Sequence, residues 1–233
     1  MAPRNAADNA ARFMLYPCAR AAEQNSMAVV ITVAQQKGGA GKTMLAAQIA
    51  AAMAANRRVA LLDIDPQASL TRWHGLRAGK NAPAIHLSTV SGWRLGGELD
   101  RLRQQFDVLI VDSPPVIDTD AKLAIRGAGL VLVPIQPSPP DLWAAEATIK
   151  LAAAEKRPLR IVLNRTPAGG KLRALVEAEL TRAGTPALAA TLGNRTSFPL
   201  AFAQGLGVTE TAPKSLAATE LRALLAELEN VIQ

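Results

Sequence analysis

The sequence predicts a doubly wound α/β fold, a mostly parallel sheet with helices on both faces, and three observations carry that expectation. From Met27 onward, short β-branched runs alternate with longer alanine-rich stretches, the rhythm of strands joined by helical crossovers. Several of the strand runs are apolar almost throughout instead of alternating, as strands covered by helices on both faces require. A glycine-rich segment lies between the first strand run and the first helical one, where such folds turn backbone amides toward a phosphate.

In chain order, the predicted strands are Met27–Ala34, Arg58–Asp63, Ile85–Val90, Phe106–Asp112, Leu130–Ile135, Leu159–Asn164 and Ala187–Leu192. Predicted helical stretches include Thr43–Ala55, Leu142–Glu155 and Lys171–Ala183. The last segment, Leu216–Ile232, reads as an amphipathic helix with Glu220, Glu227 and Glu229 on its polar side. A helix lying on a membrane surface is normally basic there, so packing against the domain is expected. With no internal repeat and no low-complexity linker, residues 27–233 form one domain. Residues 1–26 are rich in alanine and arginine and carry no period. They are expected to be a disordered extension, with Met27 a candidate start, and their apolar stretches are too short for a signal-peptide core.

Composition narrows the function classes. Hydrophobic residues make up 49% of the 233, yet no uninterrupted apolar run approaches the ~20 residues that span a bilayer. The single cysteine, Cys18, leaves no pair for a disulfide and no cluster for a metal, which fits a reducing cytoplasm. Net charge is +7, and from Lys156 to Arg195 eight basic residues face only Glu177 and Glu179. Such a concentration is either a solvated face or a surface for nucleic acid.

The chemistry is concentrated in Gly38-Gly39-Ala40-Gly41-Lys42-Thr43. Glycines let the backbone turn its N–H groups around a β-phosphate, and the following helix offers its positive end. Lys42 can reach the β/γ oxygens and the Thr43 hydroxyl can ligate Mg²⁺. Three carboxylates, Asp63, Asp65 and Asp112, follow strand runs and so fall at the carboxyl edge of the sheet, where open α/β folds bind ligands.

With Lys37 included, the run Lys37-Gly-Gly-Ala-Gly-Lys-Thr43 resembles the deviant Walker A motif of the ParA/MinD family of P-loop ATPases. Leu61-Leu-Asp63-Ile-Asp65-Pro-Gln67 is similar to that family's switch I, and Phe106–Pro115 to its Walker B strand. The resemblance implies ATP and Mg²⁺ as cofactors, with nucleotide contacts from Gly38, Gly39, Ala40, Gly41, Lys42, Thr43 and Met44. It implies that Lys37 reaches the nucleotide of the opposite subunit in an ATP-dependent homodimer, much as an arginine finger does. It also implies that Asp65 positions the attacking water, that Asp63 supports the Mg²⁺ site with Thr43, and that Asp112 holds the ion through water. Asn164 and Pro137 match positions flanking the base, although a strand-end turn explains Asn164 equally well. Met44 stands where the family usually has a second threonine.

The short chain, lacking a helix-turn-helix pattern ahead of the loop, is most similar to the small ParA-type partition ATPases. That likeness implies non-specific double-stranded DNA and a ParB-like or cargo-adaptor protein as partners, a nucleoid-associated cytoplasmic location, and no stable membrane association. Lys171, Arg173 and Arg195 are the expected DNA contacts. A MinD-type membrane-associated regulator and a P-loop carboxylate-activating ligase are the competing readings. His74 and His86 lack a partner at ligand spacing, Trp73, Trp93 and Trp143 suit helix packing, and Asp118 and Asp120 suit helix capping.

Overall fold

A computed structural model describes residues 28–90, 92–116 and 118–232. The expectation for residues 1–26 lies outside the described residues. Six strands form one sheet in the order β3-β2-β4-β1-β5-β6, comprising β1 (Val29–Val33), β2 (Val59–Asp63), β3 (His86–Ser88), β4 (Val108–Asp112), β5 (Leu130–Ile135) and β6 (Leu159–Leu163). Every pairing is parallel. The helices are α1 (Lys42–Met53), α2 (Ser69–Arg77), α3 (Leu95–Arg103), α4 (Thr119–Gly127), α5 (Pro139–Ala154), α6 (Lys171–Arg182), α7 (Ser197–Phe202), α8 (Val208–Thr211) and α9 (Leu216–Ile232).

Alternation along each buried strand supplies two cores. Ile31 and Val33 of β1 pack with α1, α2 and α7 to α9, while Val30 meets α3 and α4 on the opposite face. On that second side Val131, Val133 and Ile161 pack against α5 and α6. Helix α1 is apolar nearly all round, and nine of its twelve residues are buried, so it is the central helix of its layer. Helix α9 buries Leu221, Leu224 and Leu228 completely in the first core, at the i, i+3, i+7 spacing of one face. Each such leucine contributes about 1.5–3 kcal/mol of burial. Its apolar side is therefore occupied by the domain, as the sequence suggests.

The structure departs from the sequence reading at Ala187–Leu192, which is not a strand. It runs beside β6 with Leu188 N and Leu192 N bonded to Ile161 O and Leu163 O, both at 2.9 Å, but forms only isolated bridges, Ile161 to Ala187 and, just beyond it, Thr166 to Gly193. The cause lies on α9, whose glutamates take the outward amides. Glu227 accepts from Ala189 N at 2.8 Å and Ala190 N at 2.6 Å, and Glu220 from Gly193 N at 3.0 Å. Two of the glutamates expected on the polar side thus take amides of the segment lying outside β6, which would otherwise be unpaired. Glu229 makes a third attachment, to Arg57 at 3.1 Å. Trp73 is packed as expected, stacked on Phe202 at 6.2 Å, whereas Trp93 and Trp143 are exposed. Asp118 caps α4 by accepting from Ala121 N at 2.9 Å.

Candidate functional site

Because all strands run the same way, the ends of β1, β2, β4, β5 and β6 share one edge, and strand order reverses beside β1, the crevice where such sheets bind ligands. Residues 34–41 leave β1 there and enter α1. Gly39 and Gly41 adopt φ of 79° and 94°, a left-handed region costly for other residues. A side chain at Gly41 would also bring its Cβ to 2.4 Å from Asn164 Nδ2. Gly41 caps α1 without a side-chain bond, and the first turn carries no acid. The leading amides of α1 are therefore left for the oxygens of a ligand.

Lys42 is buried and makes no ion pair among the described residues. Burial lowers its pKa, against the opposing pull of the Asp112 and Asp65 charges. Asp112, at the end of β4, is wholly buried, and neither carboxylate oxygen has a hydrogen-bond partner. Burial pushes this carboxyl up to about 7, with the Thr43 hydroxyl and Lys42 pulling down and Asp63 and Asp65 pushing further up. Thr43 is near enough to exert that pull without making a well-formed bond to either oxygen.

A buried, unpartnered carboxylate is costly unless a cation meets it. Mg²⁺ is bound by one or two carboxylates together with substrate phosphates and waters, and Asp112 with Thr43 fits that donor set. Among the described residues no cluster of three or more His, Cys, Asp or Glu forms a ready-made centre, as suits an ion completed by phosphate oxygens. Asp63 is differently engaged. Its Oδ2 accepts from Thr71 N at 2.8 Å and Thr71 Oγ1 at 2.7 Å, and its Oδ1 from Asp65 N at 3.3 Å. Those bonds make Asp63 an organiser of the loop into α2 instead of a carboxylate open to a cation. Asp65, half-buried on that loop, accepts from Gln67 N at 2.9 Å.

Lys37 lies outside its own phosphate cradle. Its Nζ donates to Asp141 Oδ2 at 2.6 Å, with the lysine side chain 41% exposed and the aspartate 3%. Ser138 Oγ bonds the same oxygen at 2.5 Å. Burial raises the Asp141 carboxyl, but Lys37 and Ser138 together hold it below the usual range. The sequence reading missed Asp141, although Ser138-Pro-Pro-Asp141 is a recognisable helix start, with Ser138 as cap and proline in the first turn. Pro137 is buried in the same loop.

Asn164 buttresses the loop. Its Nδ2 donates to Ala40 O at 3.0 Å and its Oδ1 accepts from Arg165 N at 2.9 Å. It also lines a cleft of about 160 Å³ with Met44, Gln48, Asn194, Arg195 and Phe198.

The expected DNA contacts divide. Lys171 opens α6, exposed and without an ion pair among the described residues. Arg173 bonds Glu177 at 2.7 Å one turn later. Arg195, its side chain 37% exposed, bonds Glu220 at 2.8 Å and lines the cleft. Glu220 holds the Arg195 guanidinium beside Asn164 and Met44.

The family model for the CobQ/CobB/MinD/ParA nucleotide binding domain matches residues 31–208. The chain belongs to that family. It is 28% identical to maintenance of carboxysome distribution protein A of Halothiobacillus neapolitanus over 88% of this chain and 98% of that protein. Its counterpart in Gloeobacter kilaueensis is 32% identical over 80% and 86%. Among solved structures, apo McdA of Cyanothece superposes with a TM-score of 0.74 at 18% identity, covering 86% and 99% of the two chains. Structures sharing the fold hold nucleotide. They include an McdA–ATP complex from Cyanothece (TM-score 0.72, 18% identity, 88% and 95% covered) and MinD with Mg-ADP from Pyrococcus horikoshii (0.71, 19%, 87% and 96%).

Proposed function

We propose that this protein is an ATP-switched homodimer that hydrolyses ATP and positions a protein cluster by binding DNA without sequence preference. The observation that carries the proposal is the placement of Lys37. It is paired with Asp141, outside the cradle that Lys42 and the α1 terminus form, so it is available to phosphates presented by a second subunit. A cation arriving there stabilises charge developing on the γ-phosphoryl.

Within one subunit, Lys42 and the loop amides hold the phosphates, Thr43 and Asp112 hold the metal, and Asp65 orients the attacking water. Mg²⁺, when bound, neutralises charge shared between the β- and γ-oxygens. Asp63 and Thr71 fix the loop that carries Asp65. Loss of the γ-phosphate removes the partner of Lys37, and its return to Asp141 favours the separated subunits. The protein-cluster cargo rests on the relatives named for carboxysome distribution, and an adaptor carried by that cluster would stimulate hydrolysis. Nucleoid association follows from the DNA step. Among the described residues no helix is long and apolar enough to cross a membrane.

Binding of two unrelated duplexes, with ATP and with ADP and at several salt concentrations, tests the DNA step. Equal affinity for both duplexes, a steep salt dependence and a requirement for ATP are expected. No ATP-dependent binding would remove DNA from the proposal.

A further inference from the structure

We propose that Glu220, on the C-terminal helix, is a positioning residue that keeps the nucleobase cleft selective for adenine over guanine. This rests on the reading that the cleft beside Met44 and Asn164 receives the base. Three bonds place the carboxylate there. Glu220 Oε2 accepts from Gly193 N at 3.0 Å, and Oε1 accepts from Arg195 Nε at 3.2 Å and Nη2 at 2.8 Å. The backbone is shaped for that grip. The Arg195 guanidinium folds over Gly193, where a Cβ would lie 2.6 Å from Nε, so a side chain there would push the guanidinium aside.

The consequence is chemical. An arginine fork recognises guanine by donating two N–H groups to O6 and N7, whereas adenine presents an amino donor next to N7. In this protein the Nε–Nη2 edge of Arg195 is committed to Glu220. The other arginine of the cleft is likewise turned away, with Arg165 Nη1 donating to Gly39 O at 3.2 Å. Arg165 adopts φ of 50°, an unusual conformation for a residue with a side chain. The cleft thus contains two guanidinium groups, with protein oxygens holding the Nε–Nη2 edge of one and Nη1 of the other. Removing Glu220 frees Arg195 to meet guanine.

Glu227 is an internal control. It lies two turns along the same helix and makes the same kind of bond, to Ala189 N and Ala190 N, but neither residue lines the cleft. Loss of either glutamate loosens the same segment, and only loss of Glu220 releases Arg195.

The test is titration of the full chain with Mg²⁺-ATP and Mg²⁺-GTP, alongside thermal melting. The parent should prefer ATP, and Glu220→Ala should reduce the ratio of GTP to ATP dissociation constants about tenfold, within the range of one bidentate base contact. Glu220→Gln, which keeps an acceptor for Gly193 but loses the charge, should fall between. Glu220→Ala combined with Arg195→Met should restore the preference, and Glu227→Ala should lower the melting temperature without moving the ratio. Equal weakening of ATP and GTP by Glu220→Ala, or an equal change of ratio in Glu227→Ala, would reduce Glu220 to a structural clamp. A parent that binds neither nucleotide would instead overturn the nucleotide reading of the cleft itself.

Discussion

The two ends of the polar inventory contrast sharply. At the phosphate edge, α1 begins without a cap, Lys42 is buried without an ion pair among the described residues, and Asp112 keeps two bare oxygens in the interior. At the late sheet edge, three glutamates of α9 satisfy amides and arginines of the segments they cover. Unsatisfied buried polar groups cost stability and persist where a ligand is to satisfy them. Satisfied ones hold the scaffold. Among these charged groups, the contrast separates candidate binding groups from structural ones without reference to any relative.

The contrast is broken most severely at Lys42. Lys42→Ala should abolish nucleotide binding, seen as loss of any ATP heat in calorimetry, while the nucleotide-free protein keeps its melting temperature. Unchanged ATP affinity would show that the open helix end is not the phosphate site. Asp65→Ala should separate two roles at the same edge, retaining ATP binding and losing hydrolysis by at least about a hundredfold, within the span of a positioned catalytic group. Phosphate release at the parental rate would remove Asp65 from the reaction.

Stability should answer in opposite senses at the two edges. Above about pH 7, where Asp112 is ionised, Asp112→Asn relieves a buried charge and should stabilise the nucleotide-free protein by about 1–3 kcal/mol while abolishing Mg²⁺-dependent hydrolysis. Destabilisation in the absence of nucleotide would mean that the carboxylate already has a structural partner. Glu227→Ala leaves two amides uncapped and should destabilise by about 1 kcal/mol, read by denaturant unfolding, with hydrolysis unchanged.

Much of this was legible in the sequence, and the reasons differ by region. The strand core and the loop Lys37–Thr43 were readable because apolar runs and glycine spacing are local signals. Asp118 as a cap was readable for the same reason. Helices α2, α3 and α4 were passed over, since short segments of mixed polarity such as Ser69–Arg77 carry little period. Ala187–Leu192 has the composition of a strand, but its outer amides belong to glutamates some 30 residues away, which no local pattern reveals. The same kind of long-range bond, to Glu220, holds Arg195 at the cleft beside Asn164. Likewise Asp141 becomes visible only when β1 and β5 lie side by side and bring it to Lys37.

The central claim, that ATP brings Lys37 of one subunit to the nucleotide of another, is tested most directly by light scattering on sized fractions of the Asp65→Ala protein with Mg²⁺-ATP and with Mg²⁺-ADP. The account predicts a dimer with ATP, a monomer with ADP, and a monomer in both when Lys37→Ala is added. A single mass under both nucleotides, or a dimer that survives the loss of Lys37, would contradict it.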